Sequence, residues 1–582
     1  MLDRNPVSLF ELTEDNKLMV KTLTAKVSKI EAPGLVVKTV KPSGNFPCLN
    51  DKKVAFVVQP NMFRAYTGTR INAATQVYPI QAFLWLSAWL KKLGFERTVF
   101  DMGVRDPSNA RCWKEFVRFL QNEKPKFVCC TVITPGYYEA KLIGIIAKQV
   151  LGPEVVVVYG GVHATALYKE SLTDSMCDVV VLGEGEMTIG EICQGNPFKD
   201  IRGVAYREDD RRYMTITVDE ILSRLAKGEE AYFIQQDAVV SVDPYVQTSL
   251  PRSLMTTQQL NDLPHQDLDL YDIWRYRNPR IIIKSHPYIQ FETSRGCPFA
   301  CDFCSAEDDY RVLSPDRVIE EMQYYKRYGI RELRISDDQF LTNVRRGEVI
   351  AEKMLSAGLH FDINLGNGVR ADRCTKEFLK LFKQVGLYQT GAGFESGDQD
   401  TLDSMKKSLN MQKSLDIMEI FREVGVEVIG FFIFGAEKET LASMQKTINF
   451  AKALLPDYAK VTIYTPFPDT QAYARWKRRG YIVSERWDHY NIHKAAGVYR
   501  HPNPELTPEV LTRWYKKFYR DFYGNPAYMK RQFLGSVRDG SIMWKAPTAF
   551  RTFFPRIFKT SPLDNVQARY HGDEGERLVI SK

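Results

Sequence analysis

Two runs of alternating strand and helix patterns, separated by an acidic, proline-interrupted stretch, restrict this chain to a pair of α/β bodies with mostly parallel sheets. In the first run, from Lys53 to about Cys193, the short β-branched segments are VAFVVQ (54–59), RTVFD (97–101), FVCCTV (127–132), VVVVYGG (155–161) and DVVVLGEGE (178–186). Between them lie PIQAFLWLSAWLKKLGF, CWKEFVRFLQNEK and AKLIGIIAKQVLG, whose apolar residues recur at helical spacing. Five strands with crossover helices predict a doubly wound, Rossmann-like sheet with its ligand at the carboxyl ends of the strands. The second run begins at YIQFETSRGC and continues through ELRISDDQF, FDINLGNGV, QTGAGFES, VIGFFIFG and AKVTIYTPF. Six strand–helix units at this spacing predict a full or partial TIM-type (β/α) barrel, its active site in the loops that follow the strands.

The divisions that follow are an N-terminal extension (1–50) of no legible function, the first sheet (51–200), a linker region (201–283) containing LNDLPHQDLDLYDI, the barrel (284–482) and a helical C-terminal region (483–582). The formal charge of +8 is small for 582 residues and gives no reason to expect a nucleic-acid partner. The first thirty residues hold no apolar run of signal-peptide type. No segment approaches the ~18 uncharged apolar residues of a membrane span, so a cytoplasmic enzyme is the expectation.

Of the ten cysteines, seven are scattered through segments that otherwise read as ordinary structure. The other three, Cys297, Cys301 and Cys304, are grouped directly after the first barrel strand. That argues against a secreted disulfide framework and for a metal or redox site. Three thiolates on one loop can hold three corners of a [4Fe–4S] cluster and leave the fourth iron open. A zinc loop is the competing reading, but no nearby histidine or second cysteine pair supplies a fourth ligand.

The CxxxCxxC spacing, with the aromatic Phe303 before the third cysteine, resembles the signature of radical S-adenosylmethionine (SAM) enzymes over residues 285 to 480. The resemblance implies that SAM chelates the open iron and is cleaved to a 5′-deoxyadenosyl radical that abstracts hydrogen. It also implies SAM contacts by Phe303, by Asp337 and Asp338 after the second strand, and by Glu395 and Ser396 at the end of the fourth. Gly430 to Gly435 resembles the glycine-bearing fifth strand beside adenine, and Arg370 would neutralise a carboxylate. Each has a plainer reading as a helix cap, a turn or a surface charge. No catalytic base is assigned.

In the first sheet neither GxGxxG nor a Walker loop appears. The turns Gly160-Gly161-Val162-His163 and Gly183-Glu184-Gly185-Glu186, with the linker LNDLP, resemble cobalamin-binding domains fused ahead of radical SAM barrels. Under that resemblance cobalamin would be met by Asn61, Thr131, Thr134, Gly160, Gly161, His163, Gly183, Glu184, Gly185 and Glu186. Glycines at strand ends let the backbone approach a bulky cofactor, and threonines offer hydroxyls. The DxHxxG motif that supplies an axial histidine is absent, and His163 reads as a satisfied loop residue rather than a cobalt ligand.

The fused family, which the chain resembles over residues 53 to 525, consists largely of methyltransferases acting on unactivated carbon. The expected function is methylation of a small-molecule, lipid or tetrapyrrole substrate through methylcobalamin, with an electron donor such as flavodoxin or ferredoxin. An alternative is oxidative ring closure, because ITPGYYEAKLIGIIAKQV and WDHYN through KKFYRDFYGNP look similar to the anaerobic magnesium-protoporphyrin monomethyl ester cyclase. A non-catalytic cobalamin-binding module is a third. The aromatic and basic stripe Trp514 to Tyr523 reads either as a helix packed on the barrel or as a cover for a flat substrate or a peripheral membrane contact.

Overall fold

The computed structural model describes residues 46–60, 77–105, 110–208, 212–241, 245–278, 282–495, 497–538 and 540, together with the backbone of four short strands between residues 10 and 40. Asn61, much of the loop 60–79 and the segment beyond 540 lie outside the described residues. The chain divides into two units: Met1–Met62, Ala82–Leu254 and Gln266–Leu270 in the first, and Phe63–Gln81, Met255–His265 and Tyr271–Lys582 in the second.

In the first unit the parallel strands are β1 (Asn50–Val58), β2 (Glu96–Asp101), β3 (Pro125–Thr131), β4 (Val156–Gly160) and β5 (Val179–Val181), in spatial order 2-1-3-4-5. The chain reverses direction across the sheet between β1 and β3, which puts a crevice at their carboxyl ends. The apolar runs are continuous because both faces are covered: Val54 to Val57 and Val128 are fully buried. Helix α1 (Gln81–Lys92) follows β1, and α2 (Ala110–Glu123) follows β2. Helix α3 (Tyr137–Leu151) follows β3, with Leu142, Ile143, Ile145 and Ile146 fully buried; each such side chain contributes about 1.5–3 kcal/mol of burial free energy. Helix α4 (Glu186–Cys193) follows β5.

The segment expected to be a linker extends this sheet. β6 (Val204–Arg207) pairs antiparallel with β5, and β7 (Val246–Thr248) antiparallel with β6. Strands of three or four residues carry too few alternations to reveal a face, which is why the periodicity did not register.

The second unit is a sheet of six parallel strands in sequential order: β8 (Tyr288–Phe291), β9 (Glu332–Ile335), β10 (Asp362–Val369), β11 (Leu387–Glu395), β12 (Glu427–Phe434) and β13 (Tyr458–Ile463). β8 and β13 do not pair, so the barrel is partial. Its helices start at side-chain caps that the sequence supplies at each entry. Ser314 caps α5 (Pro315–Arg327), Asn343 caps α6 (Val344–Ser356), Thr375 caps α7 (Lys376–Gln384), Asn410 caps α8 (Met411–Val424) and Thr440 caps α9 (Leu441–Leu454), each accepting a hydrogen bond from the third helical N–H.

The outer edge of β13 is closed by side chains. After α10 (Gln471–Arg478) comes α11 (Pro508–Tyr523), the aromatic stripe, with Leu511, Tyr515, Phe518 and Phe522 buried. The Phe518 ring packs at a tilt against that of Phe432 on β12, with centroids 5.3 Å apart. The Tyr519 hydroxyl accepts from Val461 N at 3.2 Å and donates to Val461 O at 3.3 Å. Tyr523 does the same for Ala459, at 3.1 and 3.0 Å. Two hydroxyls one helical turn apart thus satisfy the free ladder groups that a seventh strand would take, and of the two expected roles for the stripe the structure takes the packed one. The last described helix is α12 (Pro526–Arg538).

Candidate active site

The three cysteines sit at the carboxyl edge of the barrel. Beyond β8 the dipeptide Ser294–Arg295 pairs antiparallel with Arg311–Val312 and closes the base of a loop, residues 296–310. Inside it, Cys297 N donates to Glu307 O at 2.7 Å and Cys304 N to Cys301 O at 3.2 Å. Ala306 N points at Cys304 Sγ, 3.4 Å away. Burial pushes the Cys297 and Cys301 thiols up; Cys304 raises both further, and Lys407 pulls both down. Cys304 is exposed. Three thiols on one short loop beside a buried cation fit the chemistry of an iron–sulfur donor set, although among the described residues no three cysteine, histidine or acidic side chains are gathered closely enough to hold a single metal ion; such a cluster would be bound as thiolates, with release of their protons.

One residue that the sequence reading passed over anchors this loop. Asp302, fully buried between two of the cysteines, accepts from Tyr464 Oη at 3.1 Å and pairs with Arg475 on α10 at 2.5 Å. Its backbone is held as well: Asp302 N donates to Met405 O at 3.1 Å, and Ala472 N donates to Asp302 O at 2.9 Å. Arg475 also bonds Glu437 at 2.7 Å. Burial pushes the Asp302 carboxyl up, and Arg475 opposes it. Asp302→Asn is expected to lower iron retained after desalting by roughly tenfold, the scale for loss of a partner that orients metal ligands. It should cost only about 1–3 kcal/mol in denaturant melts, because Arg475 keeps Glu437. Unchanged iron retention would separate Asp302 from the cluster loop.

The expected SAM contacts fall into three groups. Asp338 is exposed and accepts from Gly296 N at 3.0 Å, beside the cysteine loop; Phe303 lies in that loop, edge-on to Tyr464 at 6.3 Å. Glu395, at the end of β11, has a left-handed backbone (φ +57°) and an ion pair with Lys407 at 2.9 Å, both side chains buried. Gly393 makes that pair sterically possible, since a Cβ there would lie 2.5 Å from Glu395 Oε1 and 3.0 Å from Lys407 Nζ. Lys407 went unnoticed in the sequence because MKKSLN reads as a solvated turn.

A second group is occupied by the protein itself. Asp337 accepts from Thr293 N and Thr293 Oγ1, both at 2.6 Å, and from Ser294 Oγ at 2.5 Å, so it ties β9 to the entrance of the cysteine loop. Arg346 completes the tie by donating to Thr293 O at 2.7 Å. The Ser396 hydroxyl is engaged by Thr447 Oγ1 at 3.0 Å and Asp398 N at 3.2 Å. Arg370, expected to neutralise a ligand, pairs instead with Asp372 at 2.8 Å and covers the Phe299 ring of the cysteine loop at 4.4 Å.

Third, the glycines of β12 do not line open space. Gly430 lies in mid-strand, where a Cβ would meet Phe432 and Pro456 at 3.1 Å. Gly435 is at the strand end, but a Cβ would face Leu511 at 3.3 Å, and its N–H donates to Glu439, whose carboxyl burial pushes up to about 7.

In the first unit the predicted turns meet at the carboxyl edge of the sheet. Val132 N donates to Gly160 O at 2.7 Å, and His163 N to Val132 O at 3.2 Å. Gly161 (φ +89°) approaches so closely that a Cβ would lie 2.8 Å from Thr131 Oγ1 and 3.0 Å from Val132 N and O. His163 is turned inward: it is 1% exposed, its Nδ1 is 3.3 Å from Thr134 Oγ1, and its ring centroid lies 4.5 Å from that of Tyr137. Burial pushes its imidazole down to about 3, so it is neutral. Thr134 thus engages one of the two ring nitrogens of His163. Among the described residues, the open part of the edge consists of Val162, 50% exposed, and Gly183, where an added Cβ would meet nothing within 4 Å. Gly185 instead meets Leu86 at 3.1 Å, and Glu186 is buried at the start of α4, with Glu184 half-buried before it. Gln59 Nε2, just beyond β1, and Thr188 Oγ1, in the first turn of α4, are buried with no hydrogen-bond partner among the described residues. Both were missed in sequence, and such orphaned groups at a ligand edge fit a cofactor rich in amides.

Comparison with known proteins agrees with both units. Residues 291–451 match the family model of the radical SAM superfamily, and residues 66–192 that of the B12 binding domain. The chain is 28% identical over 424 residues to an uncharacterized methyltransferase of Pyrococcus horikoshii, covering 71% of this chain and 82% of that protein. It is 26% identical over 447 residues to the anaerobic magnesium-protoporphyrin IX monomethyl ester cyclase of Cereibacter sphaeroides, covering 74% of this chain and 64% of the cyclase. Among solved structures, the radical SAM methyltransferase TsrM from Kitasatospora setae, with cobalamin and a [4Fe–4S] cluster bound, superposes with a TM-score of 0.52 at 17% identity, covering 74% of this chain and 78% of TsrM. A cysteine-bearing barrel preceded by a doubly wound, cobalamin-type sheet defines an enzyme of radical chemistry. The chain belongs to the cobalamin-dependent radical SAM family, with a [4Fe–4S] cluster, SAM and cobalamin as its cofactor set.

Proposed function

We propose that this enzyme transfers a methyl group to an unactivated carbon of a small-molecule, lipid or tetrapyrrole substrate. The observation that carries the reading is the edge of the first unit: among the described residues it is open at Val162 and Gly183, and its one turn histidine is buried and neutral. A cobalamin held there would have no His163 ligand, which favours a labile methyl group. When bound, the cluster and SAM supply one-electron cleavage chemistry, and cobalamin supplies a methyl carrier. Cys297, Cys301 and Cys304 would hold the cluster, with Asp302 fixing their loop. Asp338 would accept from the SAM ammonium, Phe303 would shield its approach, and Lys407, released from Glu395, would face its carboxylate. Thr131, the Gly160–Gly161 backbone, Gly183, Gln59 and Thr188 would meet cobalamin. A flavodoxin or ferredoxin would reduce the cluster.

Ring closure is the second reading, favoured by the likeness to the cyclase. Anaerobic reconstitution with iron, sulfide and hydroxocobalamin, followed by mass spectrometry of SAM products in the presence of candidate substrates, separates the two. Methyl transfer is expected to give both S-adenosylhomocysteine and 5′-deoxyadenosine. Deoxyadenosine alone, with a new carbocycle, would overturn it. Histidine-ligated cobalamin in an EPR spectrum would remove the support drawn from the edge.

A further inference from the structure

We infer that α12 is the docking face by which this enzyme sits on an anionic lipid surface. The inner side of the helix is pinned: Tyr528 Oη donates to Asp457 O at 2.9 Å, Gln532 Nε2 to the same oxygen at 3.1 Å, and Arg531 pairs with the Asp457 carboxylate at 2.6 Å. The helix therefore has a fixed orientation within its unit, and its outer side carries Met529, Phe533, Leu534 and Val537, each more than half exposed. These residues recur at i, i+4, i+5 and i+8, which is one face of a helix. No other helix among the described residues carries as many exposed large hydrophobics.

Charge identifies the occupant. Between residues 526 and 560 the sequence has seven Lys and Arg against one acid, Asp539, in a chain whose total is +8; Arg531 is taken by Asp457, which leaves six basic side chains for a partner. The same stretch adds Trp544, Phe550, Phe553, Phe554 and Phe558 after the helix. A second copy of this chain would bring together two stretches of the same positive charge. A nucleic acid would answer the charge but not the apolar face. The headgroup and acyl boundary of an anionic bilayer answers both: apolar side chains enter below the headgroups while lysines and arginines remain at the phosphates. No helix among the described residues is long and apolar enough to cross a membrane, so the contact is peripheral.

The test is flotation of the full chain with vesicles of phosphatidylcholine alone, or with about 30% phosphatidylglycerol added to provide surface charge. Flotation with the anionic vesicles is expected, weakened by about tenfold in high salt, which screens the lysines and arginines. Phe533→Glu with Leu534→Glu should reduce it by a similar factor while leaving the circular dichroism melt and SAM cleavage unchanged, because both side chains are exposed. Lys545→Glu with Arg551→Glu should reduce it for the anionic vesicles. Absence of flotation, or flotation undiminished in the Phe533→Glu and Leu534→Glu chain, overturns the proposal. So does light scattering that finds a dimer broken by those substitutions, since a second copy would then be the occupant.

Discussion

Cys301→Ala leaves a folded chain that no longer forms a stable iron–sulfur chromophore and releases 5′-deoxyadenosine at less than about a thousandth of the parent rate. That is the scale on which an active centre fails when an indispensable member is removed. The fold survives because the residue sits in a loop fastened elsewhere, by the Ser294–Arg295 ladder, by Asp302 and by the Cys297 N–H to Glu307. The expected stability loss is within about 1 kcal/mol. Loss of the chromophore follows from the donor set: two thiolates cannot hold three irons. Cys374→Ser provides the contrast. Its thiol is pushed far up by burial, and it is no part of the loop, so the substituted chain should keep full iron content. The measurements are iron and sulfide per chain, the visible band of the cluster, and deoxyadenosine by mass spectrometry. An intact cluster in Cys301→Ala would detach this loop from the metal centre altogether.

The cysteine loop stands out in the sequence because the expected chemistry is local: three residues within eight positions suggest it without any tertiary contact. The residues that shape it were not. Asp302 depends on Tyr464 and Arg475, more than 160 positions away, and in sequence an aspartate between cysteines resembles any polar loop residue. Lys407 looks solvated until Gly393 and Glu395 are folded against it. Arg370, expected from its place after a barrel strand to neutralise a carboxylate, pairs here with an aspartate two residues on, a partner the spacing alone does not reveal. Helix and strand periodicity supplied the barrel order and the five parallel strands, since long apolar runs with capped helices repeat their signal. It could not supply β6 and β7, which are too short, or the tyrosine closure of β13. The i, i+4 spacing of Tyr519 and Tyr523 marks a shared face, not the backbone groups their hydroxyls reach.

The two glycine turns of the first unit should respond differently to an added side chain, and the difference separates folding from cofactor binding. Gly161→Val places a branched side chain at φ +89°, where a Cβ already lies 2.8 Å from Thr131 Oγ1 and 3.0 Å from the Val132 backbone. The left-handed backbone costs about 1–2 kcal/mol for an L residue, and the overpacking a further 1–3 kcal/mol or so. Because Val132 is bonded to both Gly160 and His163, the clash pushes apart the loops that build this edge. The first unit should melt earlier by several degrees, and cobalamin should be lost with it. Gly183→Ala meets nothing within 4 Å, so its cost is the backbone term alone. If Gly183 is where the cofactor approaches, that methyl intrudes only when cobalamin is present. Binding should then weaken by about tenfold or more for an incompatible contact of ~1.4 kcal/mol, with the melt of the cofactor-free chain moved far less. Retained cobalamin, read from the visible spectrum after desalting, and melting of the cofactor-free chain are the two measurements. Full affinity in Gly183→Ala would move the cofactor away from this turn and leave Gly161 a purely structural glycine.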